Sequence, residues 1–67
     1  MTTFTVRYTK RFVDGLLSGL EYPTVESDLS AASVEYVRTW AQEHETKPVK
    51  TMGSSYTVTD FAVEANA

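Results

Sequence analysis

Along residues 3–12, TFTVRYTKRF, apolar and polar side chains alternate. Phe4, Val6, Tyr8 and Phe12 share one parity, and Thr5, Arg7, Thr9 and Arg11 share the other. This is the pattern of a strand with one buried face. Val13-Asp14-Gly15 follows, and then LLSGLEYPTVES. Two hairpin registers compete. A two-residue Asp-Gly turn pairs Phe12 with Leu17 and Tyr8 with Glu21, and puts Leu16, Leu20 and Tyr22 on the wrong face. A three-residue loop of Val13, Asp14 and Gly15, with Gly15 left-handed, pairs Phe12 with Leu16, Tyr8 with Leu20 and Val6 with Tyr22. It also sets Arg7 opposite Glu21 on the outer face. The second register explains the apolar face and a cross-strand ion pair together, so it is the expectation. The second strand then covers about 16–25. Pro23 has no N–H for a ladder, which puts that strand at an edge.

A helix is expected over about 29–45. A step of 100° per residue gathers Leu29, Tyr36, Val37, Trp40 and Ala41 into one arc, with Ala31, Glu35, Arg38, Thr39 and Gln42 opposite. Ser27 or Asp28 could cap a helix starting near Leu29. Ser30 could cap a later one, with Leu29 and Val34 as a hydrophobic staple, and Ser30 is preferred. Pro48, with Lys47 before it, marks the stop.

The remainder reads KPVKTMGSSYTVTDFAVEANA. Strands are expected over about 48–52 and 56–63. A type II′ turn at Gly53-Ser54 pairs Val49 with Val58, Thr51 with Tyr56 and Lys47 with Asp60. Beyond Asp60 the apolar parity flips, since Val58 is even whereas Phe61 and Val63 are odd. A bulge near Thr59–Phe61 explains the flip. So does a sheet covered on both faces, and in that case Phe61, Val63 and Met52 would form a homodimer face. Glu64 to Ala67 reads as a frayed tail. The sum is an α+β fold of ββαββ order. It has a four-stranded, mainly antiparallel sheet with one helix on one face, and the first and last strands are paired at the centre. The expected core is Phe4, Val6, Tyr8, Leu16, Leu20, Tyr22, Val37, Trp40, Val49 and Val58.

Composition narrows this picture. Sixty-seven residues make one domain at most. A chain this short buries only about 60% of its unfolded surface, and small domains usually add a disulfide, a metal or a partner subunit. The chain has no Cys, which excludes disulfides and thiolate metal sites, and one His cannot build a zinc site alone. The apolar content of 42% supports a folded domain. With no apolar run, no signal peptide or membrane span is visible, and a cytoplasmic location is expected. The net charge of −3 argues against general nucleic-acid binding, which needs basic surface.

The chemistry-bearing residues are few. His44 lies in the last helical turn between Glu43 and Glu45, where it complements the helix dipole. The carboxylates form no acid/base dyad and no calcium or magnesium loop. No Ser stands in a nucleophile elbow, and the glycines form no phosphate loop. The expectation is a protein that is not an enzyme and uses no cofactor or metal.

The candidate partner-binding residues are therefore charges. Lys10 and Arg11 could form a basic hairpin tip, although Lys10 has the parity of the apolar face and could snorkel out. Glu21, Glu26 and Asp28 precede the helix, and Glu43 and Glu45 end it. Together they could offer an acidic face to a basic partner. Trp40 and Tyr36 are assigned to the core. In size, acidity and Thr/Ser-rich strands the chain is similar to small accessory proteins of phages and other mobile elements. That resemblance implies inhibition of a host complex by surface binding, and it transfers no residue roles. The leading expectation is a small acidic, non-catalytic protein-binding module. The alternatives are a self-associating assembly protein such as a homodimer and, less favoured, a sheet-surface nucleic-acid binder using Tyr8 and Tyr22.

Overall fold

Residues 2–66 are described by a computed structural model. The elements are β1 (Thr3–Gly15), β2 (Glu21–Leu29), α1 (Ala31–Glu43), β3 (Val49–Thr51) and β4 (Ser54–Asn66). They form one antiparallel sheet in the order β2-β1-β4-β3, with α1 packed against it. The fold is the expected ββαββ, and β1 and β4 are the central pair, also as expected.

Strand length dominates the shape. A thirteen-residue strand spans about 43 Å, whereas the thirteen residues of α1 span about 20 Å. The molecule measures 42 × 18 × 18 Å, so the helix covers only about half of its sheet. Under it, Tyr8, Ala41 and Val58 are buried together, with Val37, Trp40, Tyr56 and Phe61 packed around them. Val6, Phe12 and Val34 are also buried.

The first hairpin differs from expectation in register. Arg11 pairs with Glu21 and Tyr8 with Thr24, and Phe12 N–H donates to the Leu20 carbonyl at 2.9 Å. This is a slip of four residues from the Phe12–Leu16 pairing. The reason is that β1 has a neighbour on each side. Its end continues along β4, with Asp14 opposite Ser55 and Gly15 opposite Ser54. Residues expected to turn are thereby held extended, and the turn is pushed outward to 16–20. An even slip leaves the parity of Leu20 and Tyr22 unchanged but moves them beyond the end of the helix. Leu16, Leu20 and Tyr22 are therefore exposed rather than core. Phe4 and Val49 are half-buried.

The helix starts at the preferred cap. Ser30 Oγ accepts from Ser33 N–H at 3.2 Å, and β2 runs up to Leu29. Its end comes earlier than Pro48 implied, at Glu43. There the His44 N–H donates to the Trp40 carbonyl at 3.1 Å, and the His44 carbonyl accepts from Val58 N–H at 2.9 Å. That last bond ties the helix end to β4.

The second hairpin slips by two residues from expectation. Thr51 pairs with Ser54 and Val49 with Tyr56, so the loop is Met52-Gly53. Gly53 is left-handed (φ 78) in its second position, whereas a II′ turn requires that conformation in the first. Further along β4, Arg7 pairs with Ala62 but Thr9 with Thr59, so Asp60 and Phe61 together oppose Tyr8. This is the bulge inferred from the parity flip, and Asp60 adopts φ 57 within it. Phe61 and Val63 consequently turn to the helix side, which removes the basis for a homodimer face on the outer side. A comparable bulge lies in β2, with Asp28 at φ 60. The tail expected to fray is strand. Thr5 Oγ1 donates to Asn66 Oδ1 at 2.8 Å, and Asn66 Nδ2 donates to Thr3 Oγ1 at 3.0 Å. Ala67 lies outside the described residues.

Candidate functional site

The charged candidates do not form one surface. Lys10, Arg11 and Glu21 come together in the half of the sheet beyond the helix. Arg11 Nε lies 3.8 Å from Glu21 Oε1 on the outer face, so Glu21 pairs with Arg11 and not with Arg7. Arg7 instead stands 3.7 Å from Glu64. Both pairs are exposed and contribute little to stability. Lys10 lies on the other face, its ammonium 5.2 Å from the centre of the Tyr56 ring. That is a snorkelling lysine with a cation–π contact.

The acidic candidates are split. Asp28 stands in the β2 bulge just before the helix, whereas Glu43 and Glu45 lie at its far end. Roughly 20 Å of helix separates them, so no continuous acidic face joins all five. Glu26 is set apart from the others because it lines a cleft. His44 is bonded to the backbone at the end of the helix. Its Nδ1 lies 2.8 Å from the Lys47 carbonyl, and since a carbonyl can only accept, Nδ1 carries the proton. The His44 ring also meets Trp40 edge-on at 5.2 Å.

Two surfaces were not legible as sites in the sequence. The first is the tip of the molecule. Phe12 is buried there against Tyr22 and Tyr56, at ring separations of 5.5 and 5.3 Å. Around this small satellite core, Leu16 is 91% exposed and Met52 94%, with Val13, Leu20 and Tyr22 about half exposed. The main chain at the tip is rigidly built. Leu16 N–H donates to the Gly53 carbonyl at 3.0 Å, and Leu17 N–H donates to the buried Ser54 Oγ at 3.1 Å. The apolar pattern of this stretch is that of strand core, but register, not composition, decides its height on the sheet.

The second surface is a cleft of about 210 Å³ between α1 and the β1–β2 pair, lined by Tyr8, Glu26, Tyr36, Val37 and Trp40. Tyr8 and Trp40 meet at 5.5 Å with their planes inclined by 63°. Burial raises the Tyr8 phenol above its ordinary value, and the charge of Glu26 and the neighbouring Tyr56 add to that rise. Trp40 is half-buried, but Tyr36 is exposed and is not a core residue.

Among the described residues, no group of three or more His, Cys, Asp or Glu side chains could hold a metal ion. No described helix is long and apolar enough to cross a membrane. Comparison with protein-family models, with curated proteins and with solved structures gives no match.

Proposed function

We propose that this protein is a non-catalytic protein-binding module that acts by occluding a partner surface through its apolar tip. The observation that carries the reading is the exposure of Leu16 and Met52 at the end of two hairpins whose backbones are locked together. Exposed apolar side chains grouped on one rigid feature are a recurrent mark of interaction sites. A preorganised tip also loses little conformational entropy on docking. Lys10, Arg11 and Glu21 flank the tip and supply a polar rim, while the scattered acidic residues keep the chain soluble.

The test compares the native chain with a Leu16→Ser, Met52→Ser variant in pull-downs from lysate of the natural host, after nuclease treatment. Retention of one stoichiometric protein by the native chain, and its loss with the variant, is the expected result. Equal retention by both proteins counts against the tip. Retention that vanishes with nuclease favours nucleic-acid binding instead. Self-association is a second reading, because every copy carries the same tip. It requires a dimer by light scattering that the same double substitution dissociates.

A further inference from the structure

We infer that the cleft between α1 and β2 is a recognition site for an organic cation, namely the head of a Lys or Arg side chain presented by a partner protein. Three of its five lining residues are aromatic, and a fourth, Glu26, brings a carboxylate. Among the described residues the lining includes no basic side chain. Tyr8 and Trp40, inclined at 63°, form two walls that meet in a corner. Tyr36, 75% exposed, forms an outer wall. Aromatic rings attract a cation within about 6 Å of their centres, and the carboxylate adds direct Coulombic attraction. The Tyr8 phenol is raised chiefly by burial, and the charge of Glu26 adds to that rise. A volume of about 210 Å³ admits an ammonium or guanidinium head with part of its stem.

The nearest arginine on the helix is engaged elsewhere, with Arg38 Nε 3.6 Å from Glu35 Oε1. A side chain brought by a partner is favoured over a free small molecule because the cleft opens at the surface between the helix and an edge strand, where an approaching protein has access. The inference goes beyond the tip reading and does not depend on it.

Trp40 is the chain's single tryptophan, so its fluorescence and its indole N–H resonance both report on the cleft. The protein is titrated with N-acetyl-lysine methylamide and N-acetyl-arginine methylamide. Uncharged N-acetyl-norleucine methylamide serves as the neutral analogue and tetramethylammonium as the small-cation probe. A saturable response of Trp40 to the two cationic side chains, absent with norleucine and weakened by salt, is expected. Glu26→Gln and Tyr36→Ala change exposed residues and should leave the circular dichroism spectrum intact. Each should weaken the response roughly two- to fivefold. The Leu16→Ser, Met52→Ser variant should respond like the native chain, which separates the cleft from the tip. No saturable response, an equal response to norleucine, or unchanged affinity in Glu26→Gln would overturn the inference. Tighter binding of tetramethylammonium than of either side chain would overturn the assignment to a partner's side chain in favour of a free quaternary ammonium.

Discussion

Asp60 stands across the sheet from Tyr8 in a left-handed conformation, φ 57, and shares that position with Phe61. This single extra residue turns Phe61 and Val63 toward the helix. Deleting Asp60 would keep both on that face, because the shortened strand then alternates regularly through Val58, Phe61 and Val63. Burial of such side chains stabilises by about 1.5–3 kcal/mol each, and the whole chain is worth roughly 0.05–0.15 kcal/mol per residue. The deletion preserves that burial and is therefore expected to keep a cooperative melt in circular dichroism. Asp60→Gly should fold normally, and Asp60→Val should lose about 1–2 kcal/mol from backbone strain. A deletion variant without a cooperative melt would show that the bulge is needed for more than the facing of Phe61 and Val63.

Gly15 is needed for two reasons at once. Its φ is 79, and a Cβ there would lie 2.0 Å from the Gly53 carbonyl oxygen and 2.5 Å from the Ser54 Cα. Both obstacles are backbone, so neither can swing aside. Gly15→Ala is expected to cost about 2–4 kcal/mol in urea denaturation. It should also open the contact between the two hairpins, visible as faster hydrogen exchange at Leu16 and Leu17. Gly19 has φ 88 but nothing within 4 Å of its Cβ position. Gly19→Ala should therefore cost clearly less.

Ser30 closes the start of the helix through its bond from Ser33 N–H. Ser30→Ala should cost about 1 kcal/mol. For a chain of this size that corresponds to a fall in Tm of roughly 4–8 °C. Ser30→Asp should restore the melt, because an aspartate accepts the same bond. A substitution to Ala without effect would assign the helix start to tertiary packing alone.

Stability should decline in alkali through Tyr8. Its pKa is raised in the fold, chiefly by burial and then by the charge of Glu26 and the neighbouring Tyr56. The unfolded chain ionises near the ordinary tyrosine value of about 10. The fold favours the protonated phenol. This contribution is thus complete below that value and is lost as pH rises toward the raised folded value. Urea midpoints from pH 8 to 11 should fall, and Tyr8→Phe should flatten the fall. An equally steep profile in that variant would assign the effect to other groups.

Much of the architecture is written in local pattern. The alternation in Thr3–Phe12, the 100° arc through Val37, Trp40 and Ala41, and the parity flip after Val58 are all readable residue by residue. Each reports which way a side chain must point. The cap at Ser30 and the bulge at Asp60 were legible for the same reason, since both are demands of the backbone at one place. The candidate surfaces were far less legible. Lys10, Arg11 and Glu21 do share a region, but the acidic residues were grouped by their nearness in sequence, and the helix between Asp28 and Glu43 keeps its two ends apart.

By itself, then, the sequence determined the element order, the faces of the strands and helix, and the absence of any cysteine chemistry. It could not determine register, because slips of two or four residues leave every parity unchanged and differ only in longitudinal position. Tertiary structure decided that position. The pairing of β1 with β4 out to Gly15 pushed the first turn outward, while a helix about half the length of the sheet left Leu16, Leu20 and Tyr22 without cover. The same strand residues that would have been core under a longer helix became the exposed tip.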